Sequence, residues 1–113
     1  MATSYKILGQ AAPGTAGTVL YTVPESGTAV LSTIVAANIS SSAASFRLLV
    51  RSGALLPSIP SYGIQNFLAY DTAIPANDSV IMTLGITLSG SCQIVVSGST
   101  SNIAFNAFGS EIT

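Results

Sequence analysis

Hydrophobic and polar positions alternate with a period of two along most of this chain, and no long segment keeps the spacing of an amphipathic helix. Residues 45–51 show the pattern well. One face of this segment carries Phe46, Leu48 and Val50, and the other carries Arg47, Leu49 and Arg51. Successive side chains of a β-strand point to opposite faces, so this period is typical of strands. The pattern therefore predicts an all-β protein.

Short runs of this kind predict seven or eight antiparallel strands. Clusters of Gly, Pro, Ser, Asn and Asp separate the runs and predict turns. The expected strands are 7–10, 18–23, 29–38, 45–51, 67–70, 79–84, 92–97 and 103–108. The run 29–38 is apolar or small on both faces, which favours a central strand covered on two sides. The whole pattern indicates one small β-sandwich domain, residues 1–113, of the immunoglobulin-like or jelly-roll type.

Two segments depart from the strand pattern. Residues 1–17 form an N-terminal arm rich in Ala, Gly and Thr, and we expect pairing with a neighbouring copy to hold it. Residues 52–66 form a loop longer than an ordinary hairpin connection. Apolar side chains gain free energy only when they pack, so we expect this loop to fold onto its own sandwich or to contact a neighbouring subunit. Its large side chains are Leu55, Leu56, Ile59, Tyr62 and Ile64.

The low charge of the chain limits its possible partners, because only 6% of the 113 residues are charged and the net charge is -1. Three cations are too few to neutralise a row of phosphates, so we expect no nucleic-acid partner and no anionic membrane partner. No apolar run is long enough for a membrane span. Copies with so little charge repel one another weakly. We therefore expect a homo-oligomer, and a trimer in particular.

Groups able to perform chemistry are scarce. The chain has no histidine and a single cysteine, Cys92, which excludes an internal disulfide and a Cys/His zinc site. We expect Cys92 to be a buried, inert thiol. The four carboxylates are Glu25, Asp71, Asp78 and Glu111, and Asp71 and Asp78 are expected to be turn residues. These features predict a protein that is not an enzyme and that holds no metal or cofactor.

Two further groups of side chains are candidates for binding. Arg47 and Arg51 share an outward face, and we expect at least one of them to pair with a carboxylate, within the subunit or across an interface. The alternative is that both are solvated. Aromatic and amide side chains in or beside the long loop could receive a sugar ring, although such residues more often serve the loop's own packing. These are Tyr62, Gln65, Asn66, Phe67 and Tyr70.

Seven strings, in this order and spacing, resemble a family of small virion structural proteins of tailed bacteriophages, in particular those of cyanobacterial phages. The strings are Leu20-Tyr21-Thr22-Val23-Pro24, Ile34-Val35-Ala36-Ala37-Asn38, Phe46-Arg47-Leu48-Leu49-Val50, Leu68-Ala69-Tyr70-Asp71-Thr72, Ala76-Asn77-Asp78, Leu84-Gly85-Ile86-Thr87-Leu88 and Phe108-Gly109-Ser110-Glu111-Ile112, the last of them preceded by Phe105. The likeness runs from about residue 8 to residue 112. The segment 52–66 departs from it, because the corresponding connection in the relatives is shorter.

The resemblance implies a non-enzymatic, multi-copy decoration or cement protein, or an accessory subunit, on the phage head or on the tail or baseplate. Its partners would be copies of itself and other phage structural proteins. It would be assembled in the host cytoplasm and would reside in the virion. The family offers no catalytic or cofactor-binding residues. The alternative function is a small adhesin or carbohydrate-binding tip domain that contacts the host surface.

Overall fold

Eight β-strands form the architecture in the computed structural model, which describes residues 3–51 and 66–113. They are β1 Thr3–Ala11, β2 Thr18–Thr22, β3 Thr28–Asn38, β4 Ala44–Arg51, β5 Phe67–Ile74, β6 Ser79–Ser89, β7 Gln93–Gly98 and β8 Ile103–Ile112. A short 3-10 helix, Gly14–Ala16, lies between β1 and β2. Every predicted strand is confirmed. β1, β5, β6 and β8 run several residues beyond their predicted bounds.

The strands form two antiparallel sheets of four. The first sheet has the order β1-β8-β3-β6, and the second has the order β2-β7-β4-β5. The pairs β1 with β8, β2 with β7, β3 with β6 and β4 with β5 are nested, as if one long hairpin had been rolled into a barrel-like sandwich. This is the jelly-roll arrangement, an eight-stranded double sheet. The topology thus decides between the two sandwich types that the strand pattern left open.

The core lies between the two sheets and consists of the inward-facing side chains of both. Phe46 on β4 and Phe105 on β8 meet edge to face, with ring centroids 5.8 Å apart, and join the two sheets at the centre. Both rings are almost fully buried. Around them lie Leu8, Leu20, Val23, Ala29, Leu31, Ile34, Ala36, Leu48, Ala69, Ile74, Leu88, Ile94, Val96, Ile103 and Ala107. Cys92 belongs to the same buried cluster, as predicted.

The N-terminal segment is held differently from our expectation. Residues 3–11 are strand β1, and they pair with β8 of the same chain rather than requiring a neighbouring copy. Gly9 lets β1 approach the second sheet, because a Cβ there would lie 2.2 Å from the carbonyl oxygen of Leu20. The two ends of the described chain therefore hold each other.

The strand β3 is central, as predicted, with β8 on one side and β6 on the other. Its inward residues, including Leu31 and Ile34, are buried, whereas Val30 and Val35 on the opposite face remain partly exposed. The expectation that β3 is covered on both faces is therefore wrong for the single chain. Its outward face is only partly buried.

Candidate functional site

Arg47 makes the ion pair that was predicted for one of the two arginines. Its Nε lies 2.7 Å from Oδ1 of Asp71, and its second nitrogen, Nη2, donates to Oδ2 at 3.3 Å. The guanidinium also lies over the ring of Tyr70, 4.1 Å from the ring centroid. Hydrogen bonding from Arg47 holds the pKa of Asp71 below its usual range. Arg47 is therefore oriented by two partners on the neighbouring strand.

An irregularity in β5 brings these two partners together. The pairing between β4 and β5 shifts between Phe46 and Leu48, so that Tyr70 and Asp71 both lie opposite Arg47. Asp71 has a φ of 50°, in the left-handed region that non-glycine residues seldom occupy. Such a bulge turns two consecutive side chains to one face. The prediction that Asp71 is a turn residue is wrong, because it lies inside β5; Asp78 does lie in the turn before β6.

Arg51 differs from Arg47 although the two residues share a strand face. Its relative exposure is 4%, whereas the side chain of Arg47 is 40% exposed. The Nε of Arg51 donates to Oε1 of Gln93 at 2.8 Å, and Nε2 of Gln93 donates to the hydroxyl of Thr22 at 3.3 Å. A chain of polar contacts thus crosses β4, β7 and β2. Arg51 is a buried structural arginine and not a solvated one.

Leu49 and Val95 are buried beside Arg51 even though they point away from the core. They lie opposite each other on β4 and β7. The chain leaves the described residues at Arg51 and re-enters them at Asn66, whose Nδ2 donates to the carbonyl oxygen of Val50 at 2.8 Å. The remaining predicted interface residues lie between these points, outside the described residues. They are Leu55, Leu56, Ile59, Tyr62 and Ile64.

A third polar cluster joins the ends of the chain. Nζ of Lys6 lies 2.8 Å from Oε1 of Glu111, and the hydroxyl of Tyr21 donates to the other carboxylate oxygen of Glu111. The hydrogen bonds from Lys6 and then from Tyr21 hold the pKa of Glu111 below its usual range. Burial, reinforced by Glu111, raises the pKa of Tyr21. This cluster links β1, β2 and β8 and therefore fastens the two sheets together.

The outer face of the first sheet is a surface that the sequence patterns did not identify. Its three central cross-strand rows are Gln10–Asn106–Val35–Ile81, Ile7–Phe108–Thr33–Thr83 and Tyr5–Ser110–Val30–Thr87. None of these residues is charged at neutral pH. Tyr5 is 85% exposed, Ile81 65%, Ile7 52% and Phe108 37%. These rows are called the uncharged face below.

The signal for the uncharged face was present in the sequence but divided among four strands. Ile7, Phe108 and Ile81 are far apart along the chain and come onto one face only through the pairing of β1, β8, β3 and β6, in which Ile7 lies opposite Phe108 and Ile81 lies opposite Val35. Each of them read alone is an unremarkable outward residue, because single exposed apolar side chains are common. Only the topology shows that they form one continuous surface.

Two concave sites in the described part of the chain are small or open. A cavity of about 200 Å³ lies on the outer face of the second sheet, lined in part by Thr15, Ser45, Arg47, Asp71 and Ser97. Small-molecule sites are usually larger, about 300 to 1,000 Å³. A wide depression of about 410 Å³ beside the turn 75–78 is open to solvent.

Two further features bear on the chemistry that the described residues can perform. Among residues 3–51 and 66–113, no three His, Cys, Asp or Glu side chains are grouped so as to hold a metal ion. Within the same ranges, the chain forms no helix of the length and hydrophobicity needed to cross a membrane.

Comparison with known proteins gives a likeness in fold alone. No family model and no curated protein matches the chain. A chain in the structure of infectious bursal disease virus, Gx strain, is 11% identical with a TM-score of 0.50, over 97% of this chain and 30% of that one. A chain of the Gt strain structure is also 11% identical, with a TM-score of 0.46, over 97% and 28%.

The chain thus spans less than a third of either viral chain that it resembles. At 11% identity to the Gx strain chain, the match shows a shared β-rich fold. These neighbours belong to an animal virus and not to a tailed bacteriophage.

Proposed function

We propose that this protein is a non-enzymatic structural component of a virus particle, present in many copies. The observation that carries the proposal is the uncharged face, on which four large apolar side chains are exposed. Exposed apolar surfaces of this kind mark sites that bind another protein. Jelly rolls build viral capsids and also lectins, so the fold itself is compatible with both functions. The exposed apolar side chains of the uncharged face favour assembly over the lectin function.

The finer proposal is a decoration, cement or accessory protein on the head, tail or baseplate of a tailed phage. The seven strings that resemble phage virion proteins support it, and the fold shared with a chain of a virus supports the broader role. The protein would be made in the host cytoplasm and incorporated into the virion. Other phage structural proteins and copies of the chain itself would be its partners.

The long loop is proposed as the attachment point to another particle protein, together with the exposed Arg47, whereas the predicted interface residue Arg51 is buried within the chain. The points at which it leaves and rejoins the described chain lie next to Leu49 and Val95, which are buried on an outward face. Replacing residues 52–65 by a short Gly-containing turn, with Asn66 kept for its bond to Val50, should leave the sandwich folded and weaken particle attachment. If the shortened chain fails to fold, the loop belongs to its own core instead.

The carbohydrate-binding alternative draws no support from the described residues. Phe67 and Tyr70 meet edge to face with centroids 4.9 Å apart, and Arg47 covers the ring of Tyr70. These aromatic rings therefore contact one another and Arg47, which is the packing role expected of most such residues. Tyr62 and Gln65 lie outside the described residues.

An antibody raised against the purified protein tests the proposed function. Gradient-purified particles of the phage that encodes the chain should carry the protein at many copies per particle, and labelling seen by electron microscopy should fall at regular positions. Controls are particles from a phage in which the gene is deleted. A protein found only in the soluble lysate, and absent from intact particles, would overturn the proposal.

A further inference from the structure

We infer that the uncharged face binds a second copy of the same chain, face to face about a two-fold axis. The inference rests on the proposed function, since it names the partner for one surface of a multi-copy protein. Four of the large apolar side chains that are exposed in the described part of the chain lie on this one face. They are Tyr5, Ile7, Ile81 and Phe108.

The charge distribution favours a second copy as the occupant. The charged side chains Lys6 and Glu111 belong to the strands β1 and β8, but they bond to each other and to Tyr21 of the second sheet. The outward rows that remain are apolar, hydroxyl or amide. Such a face offers no charge to attract an oppositely charged partner and none to repel its own copy. With a net charge of -1, two whole chains also repel each other little.

The size of the face suits a pair. Four strands about 4.8 Å apart, and about nine residues of roughly 3.3 Å each, give a surface of roughly 19 by 30 Å. Two copies in contact then bury roughly 1,100 Å² in total, which reaches the ~1,000 Å² expected of a specific protein interface. The pleated side chains add to this flat projection. Twisted sheets pack face to face at about 30°, so the twist is compatible with the contact.

The symmetry of the contact limits the assembly to two copies. A face that binds the same face of another chain is isologous, and both surfaces are used up when the pair forms. The unit assembled through this face is therefore a dimer, which differs from the trimer expected from the sequence. The outer face of the second sheet and the edge strands stay available for other particle proteins.

Two substitutions of the same residue type test the inference. Ile81 is 65% exposed on the uncharged face, and Ile39 is 70% exposed in the connection between β3 and β4. Ile81→Lys places a charge in the proposed contact, and Ile39→Lys adds the same charge at similar exposure elsewhere. Tyr5→Ser, on a different strand of the uncharged face, serves as a second variant if Ile81→Lys fails to fold. Circular dichroism verifies the fold of each variant.

Sedimentation velocity of the purified chain should show a transition from 11.4 kDa to about twice that mass as concentration rises over roughly 1 to 200 µM. Ile81→Lys or Tyr5→Ser should raise the dimer dissociation constant at least about tenfold, and Ile39→Lys should leave it within about twofold. A monomer at every concentration, a trimer, or equal weakening by Ile39→Lys would overturn the inference. If the chain is monomeric in solution but is still found on particles, the inferred dimer is overturned and the proposed function is not.

Discussion

The outer faces of the two sheets differ in how far their outward-pointing apolar side chains are exposed. On the second sheet, Leu49 and Val95 point outward yet are 3% and 2% exposed, and they lie beside the buried Arg51. On the first sheet, Ile81 and Tyr5 point outward and are mostly exposed. The second sheet also exposes Val19, Leu68 and Tyr70 on its outer strands β2 and β5, so the buried apolar residues of its outer face lie on its inner strands. The difference teaches that the outward apolar side chains on the inner strands of the second sheet are already buried, whereas those exposed on the first sheet would gain free energy from burial.

The polar groups follow the same division. The second sheet carries the Arg47–Asp71 ion pair and the Arg51–Gln93 bond on its outer side. On the uncharged face, the side-chain amide of Gln10 donates to that of Asn106 at 2.6 Å. An ionic surface selects partners by charge, whereas an apolar surface selects them by shape. The two outer faces therefore differ in charge.

The largest expected effect compares two valines on the inner strands of the two sheets. Val95 on β7 is buried, so Val95→Ala should lower the free energy of unfolding by about 2 to 3 kcal/mol. Val35 on β3 is only partly buried, and Val35→Ala should cost less than about 1 kcal/mol. Urea unfolding at concentrations that keep the chain monomeric measures both. Equal losses would show that the two outer faces are not different.

The two arginines give the next largest effect. Arg51→Ala removes a buried hydrogen-bonding side chain and leaves Gln93 without that donor, so it should destabilise the fold by about 2 kcal/mol. Arg47→Ala removes an ion pair that is exposed on both sides and should have a clearly smaller effect. Thermal unfolding of the two variants provides the comparison. An Arg47 variant as unstable as the Arg51 variant would contradict it.

Acid should weaken the link between the sheets. The folded-state pKa of Glu111 is lowered by Lys6 and Tyr21, so its contribution to stability is complete above the unfolded pKa, about 4.3, and is lost as the pH falls through the folded value. Glu111→Gln should flatten this loss of stability at acidic pH. Glu25→Gln removes the same charge from the turn before β3 and controls for net charge. Identical pH profiles for wild type and Glu111→Gln would contradict the expectation.

Salt should produce the smallest effect. It distinguishes most directly between the ion pair on the second sheet and the uncharged face of the first. The exposed Arg47–Asp71 pair is screened, so the stability difference between the wild type and Asp71→Asn should shrink in about 0.5 M NaCl. Association through the uncharged face should not weaken in the same buffer, because no ion pair contributes to it. Unfolding and sedimentation at low and high salt measure the two quantities. Dissociation of the dimer by salt would show that charges hold it.

Much of the fold was predictable because alternation is a local signal. Residues 45–51 and 103–108 alternate clearly, and the structure has strands at both. The bulge at Tyr70 and Asp71 was not predicted, and the strand was therefore ended too early. A bulge depends on the neighbouring strand, here on Arg47 of β4, and not on the local pattern. The ion pair was foreseen as a possibility, but the choice of Asp71 required the pairing of β4 with β5.

The nested strand order affects how the chain folds during synthesis. Thr3 pairs with Ile112, so the first sheet cannot close until residues 103–112 have been synthesised. Folds dominated by such distant contacts form slowly. Until β8 is available, β1 lacks its partner strand. The β8 of a second nascent or newly released chain can pair with it in the same register. Exchange of β1 between copies is therefore a low-cost route to a swapped pair.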